Sequence, residues 1–163
     1  MKSNRKTYRN LKISFVQLNT LQSVRLILER GICENIRHSM SNMEGIFRIA
    51  DFGCGTGKNT LLVADSVVSA VQRSLHEEEE EMPEFEVYFI DLPSNDFNSL
   101  FRILPPHREE GSAVVDKNPL SGRSYTAAAV CGSHFRRLVP RKSLHFCHSS
   151  ASLHWLSQVS NKP

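Results

Sequence analysis

Between residues 53 and 57 the chain places three glycines, Gly53, Gly55 and Gly57, where its hydrophobic pattern changes period. Upstream, Ile46-Phe47-Arg48-Ile49-Ala50-Asp51-Phe52 is a short β-prone run. Downstream, Leu62, Val63, Val67, Val71 and Leu75 recur at helical steps, which predicts a helix over 59–75. A strand that turns on glycines into a helix leaves the first helical N–H groups free to face a ligand, and the glycines let that ligand approach the backbone. The same alternation continues along the chain. Residues 85–90 read as a second strand ending at Asp91, 96–104 as a short helix closed by Pro105-Pro106, and 126–131 and 143–148 as third and fourth strands. A short helical turn is expected over 133–138, and an earlier helix over 21–40 from Val24, Ile27, Leu28, Ile32 and Ile36. Strands alternating with helices imply an α/β fold with a parallel sheet covered on both faces. Ligands in such sheets bind outside the carboxyl ends of the strands, where the glycine cluster and Asp91 both fall.

Composition narrows the class. The 163 residues are 40% apolar and 23% charged, ordinary globular usage that excludes a disordered or collagen-like chain. No apolar run is long enough to span a membrane, and the basic opening MKSNRKTYRN is not followed by a signal-peptide core, so a cytoplasmic protein is expected. Cys33, Cys54, Cys131 and Cys147 have no paired spacing, which fits reduced thiols. Charge is uneven: Glu77 to Glu81 form an acidic run, and no acid follows Asp116. Both features read as solvated surface, with an anion-binding basic face as the weaker alternative.

Three nucleotide-binding readings compete for the glycine loop. A Walker loop needs glycine at Phe52 and Ser or Thr at Asn59, and both positions fail. The dinucleotide fingerprint needs glycine at Lys58 and matches only in part. What remains is D-x-G-x-G-x-G from Asp51 to Gly57, which looks like the first motif of S-adenosylmethionine-dependent methyltransferases. Asp91 supports that reading, because a carboxylate after the second strand can accept hydrogen bonds from both hydroxyls of an adenosine ribose and would repel a 2′-phosphate.

Four phrases occur in order: I-A-D-F-G-C-G-T-G-K-N-T-L, D-L-P-S-N-D-F-N-S-L-F, G-S-H-F-R-R-L-V-P-R and H-S-S-A-S-L-H-W-L-S-Q-V. Together they resemble the plant SABATH family of carboxyl methyltransferases, over about residues 14–159. The resemblance implies a Rossmann-like methyltransferase fold truncated to about four parallel strands with flanking helices. It also implies a helical segment over 1–45 and a partial S-adenosylmethionine-binding domain over 46–163. The cofactor set it implies is Phe15, Asp51, Gly53, Cys54, Gly55, Asn59, Asp91, Leu92, Ser133 and His134. Gln22, Ala151, His154 and Trp155 match substrate positions, where the Trp155 indole N–H and the Gln22 amide would hold an acid by its oxygen. The implied partner is a small carboxylic acid; no membrane or nucleic-acid partner is expected, and the family implies a homodimer.

Several positions depart from the family pattern. Phe15 stands for a tyrosine, Leu18-Asn19 for Asn-Ser, Lys58 for proline, His134 for an aromatic and Ala151 for an aromatic, changes expected to weaken cofactor affinity or alter acceptor choice. Family members are about twice as long, so later strands, the helical cap and the metal ligands are expected outside this chain. His145, Cys147 and His148 are read as packing residues, because alternation along a strand points neighbours to different faces, and no metal site is assigned. No catalytic residue is assigned either: an acid with a pKa of about 4 is already ionised at pH 7, so attack on the sulfonium methyl requires alignment and water exclusion, not a base. Two other readings remain: an inactive fragment that at most binds a ligand or partner, and a nucleic-acid methyltransferase drawn from the acid-free region after Asp116.

Overall fold

A computed structural model of the chain describes residues 30–32, 34, 45–106, 122–133, 135–149 and 152. Residues 30–32 and 34 are helical, and Ile32 joins the core. The rest of the helix expected over 21–40 lies outside the described residues, as does the connection over 107–121.

Six elements follow in order: β1 (Ile46–Phe52), α1 (Lys58–Glu77), β2 (Glu84–Asp91), α2 (Phe97–Ile103), β3 (Thr126–Cys131) and β4 (Phe146–His148). All strand pairs are parallel, in the order β3-β2-β1-β4. Alternation along β1 and β2 sets Phe47 opposite Phe85 and Ile49 opposite Val87 in register. These side chains share one buried cluster with Phe89, with Val63, Val67, Val71 and Leu75 at four-residue steps on α1, and with Leu100 of α2. Each such side chain contributes about 1.5–3 kcal/mol by leaving water. The short-period pattern of the strands and the four-residue stripe of α1 therefore meet as the sequence predicts.

Local chemistry ends the elements. Asp96 caps α2 by accepting the Ser99 N–H at 3.0 Å, so the helix expected over 96–104 is Phe97–Ile103 with its caps outside. At the other end of α1, the Glu78 and Glu80 N–H groups bond to Leu75 O at 3.2 and 3.0 Å. Glu77 to Glu81 are exposed, which makes the acidic run a solvated connection. Its charges sit at the negative end of the helix dipole and discourage further helix.

Two expectations need correction. The fourth strand begins at Phe146, not Ser143: Lys142 adopts φ +57° and Ser143 Oγ donates to Pro140 O at 3.0 Å, which makes the preceding residues a turn. The stretch 133–138 shows a single i to i+3 bond, Arg136 N–H to Ser133 O at 2.9 Å, and no helix among its described residues.

The sheet order locates the site. The chain moves outward from β1 to β2 to β3, then returns to the other side of β1 as β4. The reversal lies between β1 and β4, and a crevice outside the carboxyl ends is expected beside such a switch point.

Candidate cofactor site

The site begins where β1 runs out. Gly53 (φ +79°) and Gly55 (φ +62°) adopt the left-handed conformation that side chains resist. Through this turn the Gly53 and Cys54 N–H groups both bond to Ile90 O, at 2.8 and 3.2 Å, which presses the loop against the end of β2. Gly53 has a second constraint: a Cβ there would collide with the Ser152 side chain.

Asp91 ends β2 and organises the other side. Its Oδ2 accepts the Gly55 N–H at 2.8 Å and its Oδ1 accepts the Leu92 N–H at 2.7 Å. One backbone bond per oxygen leaves acceptor capacity for two further hydroxyls. From the turn before α2, Asn95 Nδ2 donates to Gly55 O at 3.0 Å, so Gly55 is held at both its N–H and its carbonyl. Gly132 N–H bonds to Asp91 O at 2.9 Å and brings Ser133 to the same edge. Leu92, 48% exposed, offers an apolar surface beside it.

Helix α1 completes the arrangement. Gly57 caps it with no side-chain hydrogen bond, and the first turn holds no acidic residue. Its positive end is thus offered to an anion, with Asn59 in that first turn. Cys54 is buried with its thiol 3.5 Å from Gly55 O. Burial, with the Asp51 and Asp91 carboxylates nearby, pushes the thiol far above its ordinary pKa, so it stays neutral and is no nucleophile.

Asp51, Gly53, Cys54, Gly55, Asn59, Asp91, Leu92 and Ser133 therefore fall at or just beyond the carboxyl ends of β1, β2 and β3. Phe15, Gln22, His134, Ala151, His154 and Trp155 lie outside the described residues. Asp51 is distinct within the set: it is 5% exposed, with Oδ2 accepting from the Thr60 hydroxyl and Oδ1 lying 2.8 Å from His148 Nδ1. Sequence reasoning missed Thr60, Asn95, His148 and Ser152. All four stood inside the quoted phrases, Thr60 near the end of I-A-D-F-G-C-G-T-G-K-N-T-L, Asn95 in D-L-P-S-N-D, and His148 and Ser152 in H-S-S-A-S, but nothing local marked Thr60 or His148 as partners of a carboxylate.

The family described as SAM dependent carboxyl methyltransferase matches residues 3–163. The chain belongs to that family. It is 41% identical over 150 residues to a probable jasmonic acid carboxyl methyltransferase of Theobroma cacao, covering 90% of this chain and 39% of the relative. It is 42% identical over 130 residues to indole-3-acetate O-methyltransferase 1 of Arabidopsis thaliana, covering 77% of this chain and 33% of the relative. A solved loganic acid methyltransferase with SAH superimposes with a TM-score of 0.64 at 32% identity, over 83% of this chain and 35% of that one. Membership extends over nearly the whole chain, while the chain spans only 33–39% of these two curated relatives.

Proposed function

We propose that the protein binds S-adenosylmethionine along the carboxyl edge of its sheet and serves carboxyl methylation of a small plant acid. The observation that carries this reading is the Asp91 carboxylate joined to the Gly55 N–H beside an uncapped helix start. The residues present fit the cofactor. Asp91 has acceptor capacity for the ribose hydroxyls, Leu92 and Ser133 border an adenine position, and the first turn of α1 with Asn59 suits the methionine carboxylate. When bound, that cofactor supplies an electrophilic methyl on a sulfonium. The chain's own residues then bind, orient and exclude water, and none is required to take a proton because the acceptor acid is already ionised near pH 7. Gln22, His154 and Trp155 are the proposed acceptor contacts, with Phe15 and His134 on the cofactor side and Ala151 widening the acceptor position.

A second reading is favoured by the length covered: the 163-residue chain by itself binds the donor but methylates little. Phe15 and Ala151, where the family pattern has a tyrosine and an aromatic, point the same way. A cytoplasmic homodimer belongs to the same proposal; among the described residues no helix is long and apolar enough to cross a membrane. The experiment supplies labelled methyl donor and a panel of plant carboxylic acids to the purified chain and to a fusion with a relative's C-terminal portion. Turnover by the fusion alone supports both statements. Robust turnover by the isolated chain refutes the second reading, and no turnover by a folded fusion refutes the first.

A further inference from the structure

Three elements meet at one buried carboxylate. Asp51 is the penultimate residue of β1, Thr60 stands in the first turn of α1, and His148 ends β4, directly across from Asp51 in the β1–β4 register. The Thr60 hydroxyl donates to Asp51 Oδ2, and His148 Nδ1 lies 2.8 Å from Oδ1. The His148 side chain is 11% exposed and that of Asp51 7%, so neither group draws freely on solvent. The pair bridges the switch point of the sheet, between the strand that feeds the glycine loop and the strand that returns beside it.

The residues after β4 grip the same loop. Ser152 donates to Phe52 O at 2.8 Å, shares a 2.6 Å hydrogen bond with Ser149, and occupies the space that a side chain at Gly53 would need. The Asp51 carboxylate therefore fixes where α1 starts relative to β1, and the segment 148–152 fixes where the loop leaves β1.

We propose that His148 is a positioning residue for the cofactor site: its Nδ1–H holds the Asp51 carboxylate so that Thr60 and the start of α1 face the glycine loop in binding geometry. This rests on the reading of that loop as the S-adenosylmethionine site. An ionised carboxylate only accepts, so the geometry requires the proton on Nδ1, whereas a free neutral imidazole prefers it on Nε2. Losing the donor would remove one of the two partners that the described residues give this buried carboxylate, leaving it freer to turn and to release the first turn of α1.

The test uses the full chain and S-adenosylhomocysteine as the probe. Nitrogen–proton correlation spectra of wild type at pH 8 should show His148 protonated at Nδ1. His148→Asn, whose amide nitrogen can stand in for Nδ1, should bind S-adenosylhomocysteine within about threefold of wild type, whereas His148→Leu should bind at least about tenfold more weakly. Thr60→Val removes the Thr60 hydrogen bond to Asp51 at nearly constant shape; it should weaken binding similarly, which keeps the proposal testable where His148→Leu does not fold. A purely structural role would lower the melting temperature and leave the affinity of the folded protein unchanged, which overturns the proposal. A bare Nδ1 in a wild type that binds S-adenosylhomocysteine overturns this inference alone. A folded wild type that binds none overturns the cofactor reading and the role together, with the spectra still reporting whether the hydrogen bond exists.

Discussion

In the β1–α1–β2 unit, Val67, Val71, Val87 and Phe89 are fully shielded from water, and β2 pairs with β1 along seven registered residue pairs. On the far side of β1, β4 pairs over three residues, with Cys147 exposed and Phe146 and His148 partly so. That region is attached by hydrogen bonds: His148 to Asp51, Ser152 to Phe52, and His145 N–H to Arg48 O at 2.9 Å. His145 adds a ring stacked 5.3 Å from Phe47. The contrast assigns two tasks to two kinds of force. A shared buried core holds the strand–loop–helix that carries the proposed donor site, whereas the β4 side rests on the partly buried Phe146, the His145 ring and a few directional bonds. A region held by few polar bonds opens at lower cost than one held by a shared core.

Substitution at the junction tests this division most severely. Gly53→Ala must place a Cβ against Ser152 in a backbone conformation with φ +79°, and should cost about 3 kcal/mol in denaturant unfolding. Within the packed unit, Val67→Ala should cost about 2 kcal/mol and shift the midpoint of the whole transition. Ser152→Ala on the β4 side should cost about 1 kcal/mol globally but raise hydrogen exchange at Phe146–His148 well above that in β2. Equal exchange in both regions would erase the distinction.

The smallest effect concerns a carboxylate on α1. Burial lifts the Asp65 carboxyl above the 3.8 of a solvated aspartate. Below that value the group is protonated in both folded and unfolded chains and carries no penalty; as pH rises through the raised folded value, the penalty for ionising it grows. Asp65→Asn should therefore leave stability unchanged near pH 3 and increase it by under about 1 kcal/mol at pH 7, read from melts at both pH values.

The packed unit was also the legible one. Alternation in 46–52 and 85–90 and the stripe from Val63 to Leu75 are local signals, and each became the expected element. Asp91 was legible for the same reason, as an acid at a strand end after a glycine loop. The β4 side was not. Ser143 to His145 look extended, but the left-handed Lys142 and the Ser143 bond to Pro140 spend them on a turn. His148 reads as packing because its carboxylate partner stands 97 residues earlier, a separation no window of sequence spans. The proposed acceptor positions Gln22, His154 and Trp155 lie outside the described residues, so the family resemblance alone carries them.

Calorimetric titration of S-adenosylhomocysteine into wild type and Asp91→Ala tests the central assignment most directly. Each protein is first shown to be folded by its melting transition. The account predicts saturable binding to wild type and a loss of about 100-fold in Asp91→Ala, the effect of removing an ionised acceptor from two hydroxyls and from the Gly55 N–H. Equal affinity in the two folded proteins would contradict it.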